Sequence, residues 1–170
     1  MIRFFSFFTI QNNLLVTLFA TARFFNTRSN PTGYISSASV QTALTMYIVI
    51  VGIVYNAILR SLWAPAGWQL VADNLLHTVI PILMLIYWIF WVDTRKLHFS
   101  NIPAWIIYPF CYLIYSLIRG YFVNWYPYPF LEINKLGIMP VLINSGLLLL
   151  MLIVISVIFV FTGRQKWRWF

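Results

Sequence analysis

Five stretches of the chain, 4–25, 38–62, 70–92, 104–122 and 140–162, are apolar almost throughout. Each has the length an α-helix needs to cross a hydrocarbon layer about 30 Å thick, at about 1.5 Å per residue. Of eleven Lys or Arg and three Asp or Glu, only Arg23, Arg60, Asp73 and Arg119 fall inside these windows. The three arginines sit at window ends, within reach of the interface. With 8% charged and 62% hydrophobic residues, a cytosolic globular domain, which carries roughly 25% charged residues, is excluded. The chain reads as an all-α polytopic transmembrane helix bundle of five spans, a single domain over 1–170.

Between the windows the chemistry is that of turns. Asn30-Pro31-Thr32-Gly33, Ala64-Pro65-Ala66-Gly67 and Asn101-Ile102-Pro103 break one run from the next. The longest connection holds Trp125-Tyr126-Pro127-Tyr128-Pro129-Phe130. Its prolines cannot continue a helix and its aromatics favour the headgroup layer, so it is expected along the membrane surface. The net charge of +8 does not point to nucleic acid, because the basic residues mark the ends of apolar runs. Alternation of spans gives one side Arg3, Arg60, Arg119 and Lys135, and the other Arg23, Arg28, Arg95, Lys96, Arg164, Lys166 and Arg168. The more basic side faces the cytoplasm, placing the C-terminus inside and the N-terminus outside. A cleaved signal peptide ending near Ala20-Thr21-Ala22 is disfavoured by Gln11, Asn12 and Asn13 in its apolar core. Cys111 lies inside an apolar run and reads as packing.

Sequence position converts to depth. Thr9, Gln11, Asn12 and Asn13 of the first window fall in the outer half of the bilayer. So do Asp73, Asn74, His77 and Thr78 of the third, and Asn144 and Ser145 of the fifth. Asn56 and Arg60 join them from the second, and Tyr115, Ser116 and Arg119 from the fourth. Polar groups are costly against lipid and converge on a bundle interior or a wet cavity. A polar chamber open to the outer leaflet is expected, above an apolar inner half.

Within that layer Asp73 precedes His77 by one helical turn, where a carboxylate can hold the imidazole tautomer and stabilise its protonated form. An interhelical hydrogen bond for His77 and a helix-dipole role for Asp73 are the alternatives. Thr9 and His77 lie at matched depths of roughly 8 and 10 Å, as a nucleophile and its base would, because an unassisted alkanol is weak at neutral pH. A threonine in a membrane helix ordinarily bonds its own backbone or a neighbouring span. Arg119 suits a carboxylate or headgroup, or is an interfacial anchor. Asn12, Asn13 and Asn144 are candidate oxyanion donors or interhelical ties. No Gly-rich phosphate loop, metal-ligand spacing or Gly-x-Ser-x-Gly elbow occurs, and no cofactor or metal is expected. The basic aromatic tail Arg164–Phe170 reads as a headgroup anchor.

Phe8-Thr9-Ile10-Gln11-Asn12-Asn13, Ala72-Asp73-Asn74-Leu75-Leu76-His77-Thr78-Val79-Ile80-Pro81, Ile107-Tyr108-Pro109 with Tyr115-Ser116-Leu117-Ile118-Arg119-Gly120, and Trp125-Tyr126-Pro127-Tyr128-Pro129-Phe130-Leu131 together resemble the bacterial Pr-six-Pr integral membrane proteins. Those are similar in turn to the animal androgen-induced and androgen-dependent membrane proteins, intramembrane threonine hydrolases of fatty acid esters of hydroxy fatty acids. The resemblance covers nearly the whole chain. It implies Thr9 as nucleophile and His77 as base, and a bacterial cytoplasmic (inner) membrane location. It leaves Asp73, Asn12, Asn13, Arg119, Asn144 and Tyr115 as supporting or substrate-binding groups on the physical reading alone. The family is similar to a six-span bundle, so the five windows here imply that its first span is missing. Two other functions fit the same residues: a membrane binding or transport protein for a lipid or small solute, and a scaffold whose polar layer fixes helix pairing.

Overall fold

The computed structural model describes residues 3–25 and 37–166, and no strand occurs among them. Arg28, the Asn30–Gly33 turn and the tail beyond Lys166 lie outside the described residues. A short turn at Phe4–Ser6 leads into α1, Phe8–Phe25. Helix α2, Ala38–Val54, starts where the Ser37 hydroxyl accepts from the Val40 N–H at 3.3 Å. It runs on through a π-turn at Tyr55–Leu59 and a tight turn at Arg60–Leu62. Gly67, at φ 58°, opens α3, Trp68–Asn74, the left-handed conformation that only glycine adopts cheaply. A second π-turn, Leu75–Val79, joins α3 to α4, Ile80–Trp91. Pro103 in the first turn of α5, Ile102–Val123, lacks only an N–H that would have had no helical partner. Asn124, at φ 51°, stops α5. The connecting segment then carries α6, Ile133–Leu136, and α7, Ile138–Lys166.

Four continuous helices are long and apolar enough to cross a membrane: Ala38–Leu62, Trp68–Trp91, Phe99–Val123 and Ile138–Gln165. They match four of the five windows to within a few residues, except that the fourth begins earlier, at Phe99. Helix α1 is not among the four. Its Gln11-Asn12-Asn13 run and Arg23 dilute its apolarity. It nevertheless packs into the bundle, with Val16 and Phe19 against Ile48, Val51 and Met84.

Helix α2 is central. In its apolar window 56% of residues are buried, against 17% in Trp68–Trp91 and in Phe99–Val123. The outer helices therefore present Leu83, Phe90, Ile107, Phe122, Ile143 and Phe161 at the surface. An apolar surface of this extent suits lipid and not water.

At the end of the bundle away from the candidate residues, a second polar layer departs from the expected apolar inner half. The first turns of α2 bring in Ser39, Gln41 and Thr42, whose polarity is masked by the apolar residues between them. Trp88 Nε1 donates to Thr42 Oγ1 and Trp105 Nε1 to Ser39 Oγ, each at 2.9 Å. Tyr87 donates to Gln41 Oε1 at 2.7 Å and Tyr47 to the Trp105 carbonyl at 2.6 Å. These bonds tie helices together around a core of Met46, Trp88, Leu97, Trp105 and Phe159. The same end is locked to α7 by fully buried Thr94, whose hydroxyl donates to the Gly163 carbonyl at 2.6 Å. Replacing Thr94 with valine keeps the shape and removes the donor. The expected loss is about 1–3 kcal/mol, read as a lower melting temperature in detergent.

Candidate functional site

A cavity of about 100 Å³ opens between α1, α2, α5, α7 and the connecting segment. Its wall is mostly aliphatic, including Ile50, Val54, Leu113 and Leu152, with Thr9, Tyr55, Tyr112 and Tyr128 as hydroxyl-bearing members. Such a wall accepts an alkyl chain and offers hydroxyl groups at few places.

Thr9 is buried in the first turn of α1. It shares the cavity wall with Phe8 and the Tyr128 phenol, on which the polar groups of Thr9 and the main chain of Phe8 act. The Tyr112 hydroxyl donates to the Ser6 carbonyl at 2.7 Å just beyond. Tyr128 lies in the connecting segment, stacked on Phe130 at 5.1 Å. Burial pushes its phenol above the ordinary tyrosine range, and the Thr9 contacts pull it part of the way back. It is therefore a protonated donor at neutral pH. A raised phenol stabilises the fold fully below the unfolded value of about 10 and loses that contribution as pH climbs past it. Unfolding measured across alkaline pH should show a smaller loss in Tyr128→Phe than in the parent chain.

His77 sits in the π-turn of the third window, with its side chain 14% exposed. Its Nδ1 lies 2.9 Å from the Asp73 carbonyl and 3.3 Å from Asp73 Oδ1. A carbonyl only accepts, so the ring carries its hydrogen on Nδ1 and keeps the lone pair on Nε2. The carboxylate is held from its other side by the Tyr55 hydroxyl, which donates to Oδ2. Tyr55 also stacks on the imidazole, with ring centroids 3.8 Å apart and planes at 16°. Both aromatic groups come from π-turns, which re-aim side chains and recur at functional sites.

The helices bearing these groups meet closely. Gly52 of α2 faces the His77 carbonyl and Pro81, each 3.1 Å from where a Cβ would stand. Asn56 Nδ2 donates to the Gly52 and His77 carbonyls at 2.9 and 3.2 Å. Asn13 Nδ2 donates to the Thr9 carbonyl at 2.9 Å and reaches the Leu76 carbonyl at 3.4 Å. It thus links the backbone of Thr9 to that of the residue before His77. Asn12 Nδ2 donates to the Phe8 carbonyl at 2.7 Å. The Oδ1 atoms of both asparagines are buried without a hydrogen-bond partner.

The structure therefore joins Asp73 to His77, and Asn13 to both helices. Among the described residues no hydrogen bond or ion pair joins the Thr9 hydroxyl to the imidazole. Tyr55 lines the cavity with Thr9 and stacks on His77. Asn144 Nδ2 donates to the Phe130 carbonyl at 3.0 Å, fixing the connecting segment. Tyr115 is 44% exposed, its ring 6.4 Å from that of Tyr112. Arg119 lies over the Trp125 indole at 5.1 Å.

Tyr55 and Tyr128 escape a reading by sequence. Tyr55 sits in an apolar run with no partner at helical spacing, and its π-turn leaves no mark in composition. Tyr128 belongs to a proline-aromatic segment whose obvious property is interfacial. Comparison with protein-family models, curated proteins and solved structures returned no match to the chain.

Proposed function

We propose that the chain is an intramembrane hydrolase of lipid esters, of the kind its sequence motifs resemble, with fatty acid esters of hydroxy fatty acids as the expected substrate class. The observation that carries this reading is that Thr9 and Tyr55 line one cavity, while Tyr55 bonds and stacks into the Asp73–His77 pair. In the proposed reaction the Thr9 hydroxyl attacks the acyl carbonyl as His77 Nε2 takes its proton. The imidazolium then protonates the leaving alkoxide, and water, activated by the same imidazole, releases the acid. Asp73 orients the ring and stabilises its positive form. Asn13 Nδ2 is spent on the Thr9 and Leu76 carbonyls and Asn12 Nδ2 has one hydrogen on the Phe8 carbonyl, so the Tyr128 phenol on the same wall as Thr9 is the better oxyanion donor. Arg119, over the Trp125 indole in the last turns of α5, is the proposed partner of a carboxylate or headgroup.

In this reading α1 is the first of five spans, the N-terminus is outside and the C-terminus cytoplasmic, in a bacterial inner membrane. The step between Thr9 and His77 requires the two groups to come within hydrogen-bond reach when substrate binds. A fluorophosphonate probe should label the parent protein, and Thr9→Ala and His77→Ala should each lose the label. Label retained in both variants would remove this mechanism.

A second reading, a lipid-binding or transport protein without hydrolytic chemistry, is favoured by one observation. The imidazole and the threonine hydroxyl have no direct bond among the described residues. That reading expects lipid retention or movement in liposomes with no ester cleavage and no label.

A further inference from the structure

From the contacts around Trp125, we infer a binding site for the phosphate of a membrane phospholipid, built by Arg3, Arg119 and the indole between them. The guanidinium carbons of Arg3 and Arg119 lie 5.4 and 5.1 Å from the centre of that one ring. Two like charges gathered on one indole repel unless an anion joins them. Among the described residues the protein supplies none. Asp73 is engaged by His77 and Tyr55, Asp93 by Arg95 at 2.7 Å, and Glu132 by Lys135 at 3.0 Å. These are the three acidic side chains of the chain. Arg119 Nη1 is moreover buried with no hydrogen-bond partner, an arrangement that is costly for a charged donor unless a ligand completes it.

Position selects the anion. Arg119 stands in the last turns of α5, Arg3 just before the first helical turn, and Trp125 in the connecting segment. All three belong to the headgroup layer, where the abundant oxyanion is a lipid phosphate. Its two unesterified oxygens can each take a guanidinium fork. The aromatic row then leads inward. Phe7 meets Trp125 edge-on at 5.7 Å and Tyr128 at 6.0 Å, and Tyr128 lines the apolar cavity. A phosphate held at the rim places the acyl chains of the same molecule at the cavity mouth. The site extends the placement of Arg119 given above and does not depend on hydrolysis at Thr9.

Native mass spectrometry of the full chain in detergent, titrated separately with phosphatidylglycerol, dioleoylglycerol, oleate and inorganic phosphate, tests it. Phosphatidylglycerol is expected to bind tightest. The R3Q/R119Q double variant is expected to bind it roughly tenfold to hundredfold more weakly, with dioleoylglycerol unchanged. Arg3 is exposed, so R3Q alone gives a second, fold-neutral variant and is expected to lose part of the affinity. T9A is expected to keep phosphatidylglycerol binding, which separates this site from the hydrolytic reading. Unchanged phosphatidylglycerol binding in both arginine variants would overturn the inference. So would inorganic phosphate binding as tightly as the lipid, which makes the site one for the free ion, or oleate binding as tightly with the same arginine dependence.

Discussion

For the proposed hydrolase, changing His77 to alanine is expected to lower cleavage of a lipid ester roughly 10³- to 10⁴-fold, near the top of the range for losing a general base. With Asp73 changed to asparagine the expected loss is only about 10²-fold. The difference follows from how the ring is held. Where a carboxylate alone sets the tautomer, its amide can reverse it and cost about 10⁴-fold. Here the main-chain carbonyl of residue 73 sits 2.9 Å from Nδ1 and survives the substitution. The ring keeps its hydrogen on Nδ1, and only the stabilisation of the imidazolium by the carboxylate is lost. Values of kcat/KM for a chromogenic long-chain ester, with the protein in nanodiscs, measure both. Equal losses in the two variants would mean that the carbonyl does not hold the ring, and no loss in either would remove His77 from the chemistry.

A methyl group on Gly120 is expected to destabilise the protein by about 1–3 kcal/mol, as overpacking does. Its Cβ would lie 2.0 and 2.2 Å from ring atoms of Tyr126, so the ring must move. The ring has little freedom, being buried with Leu131 and Val141 beneath the connecting segment. Gly120→Ala should lower the melting temperature in detergent. An unchanged melting temperature would show that the segment yields without cost. Tyr126 is the neighbour of Trp125 and lies two residues from Tyr128. The substitution is therefore also expected to weaken whatever the segment binds, beyond its effect on folding.

Much of the architecture is legible because lipid imposes a coarse rule. An apolar run of sufficient length must be a helix, and prolines and glycines end it. Windows 38–62, 70–92 and 140–162 match helices Ala38–Leu62, Trp68–Trp91 and Ile138–Gln165 to within a few residues. The Asp73–His77 contact is legible too, since a four-residue spacing on one helix leaves few other outcomes. What composition hides is rotation. The π-turns at Tyr55–Leu59 and Leu75–Val79 turn side chains away from where regular winding would aim them, which is how Tyr55 comes to lie on His77. The polar residues at the start of α2 are hidden for another reason. Ser39, Gln41 and Thr42 are spread over more than one face, and only the partners Trp105, Tyr87 and Trp88 give them a purpose.

The paired π-turns also make the two ends of the bundle separately adjustable. Each holds one residue more than ordinary winding needs, so deleting a single residue within 55–59 or 75–79 would close the bulge. In α2, the residues toward Leu62 would keep their facing, because the bulge already absorbs the turn of about 100° that an extra residue brings, and the ties of Ser39, Gln41 and Thr42 to neighbouring helices would stay in place, while Tyr55 lost its aim at His77. Mutational drift could thus retune the chamber by shortening a helix, with the foundation below it undisturbed.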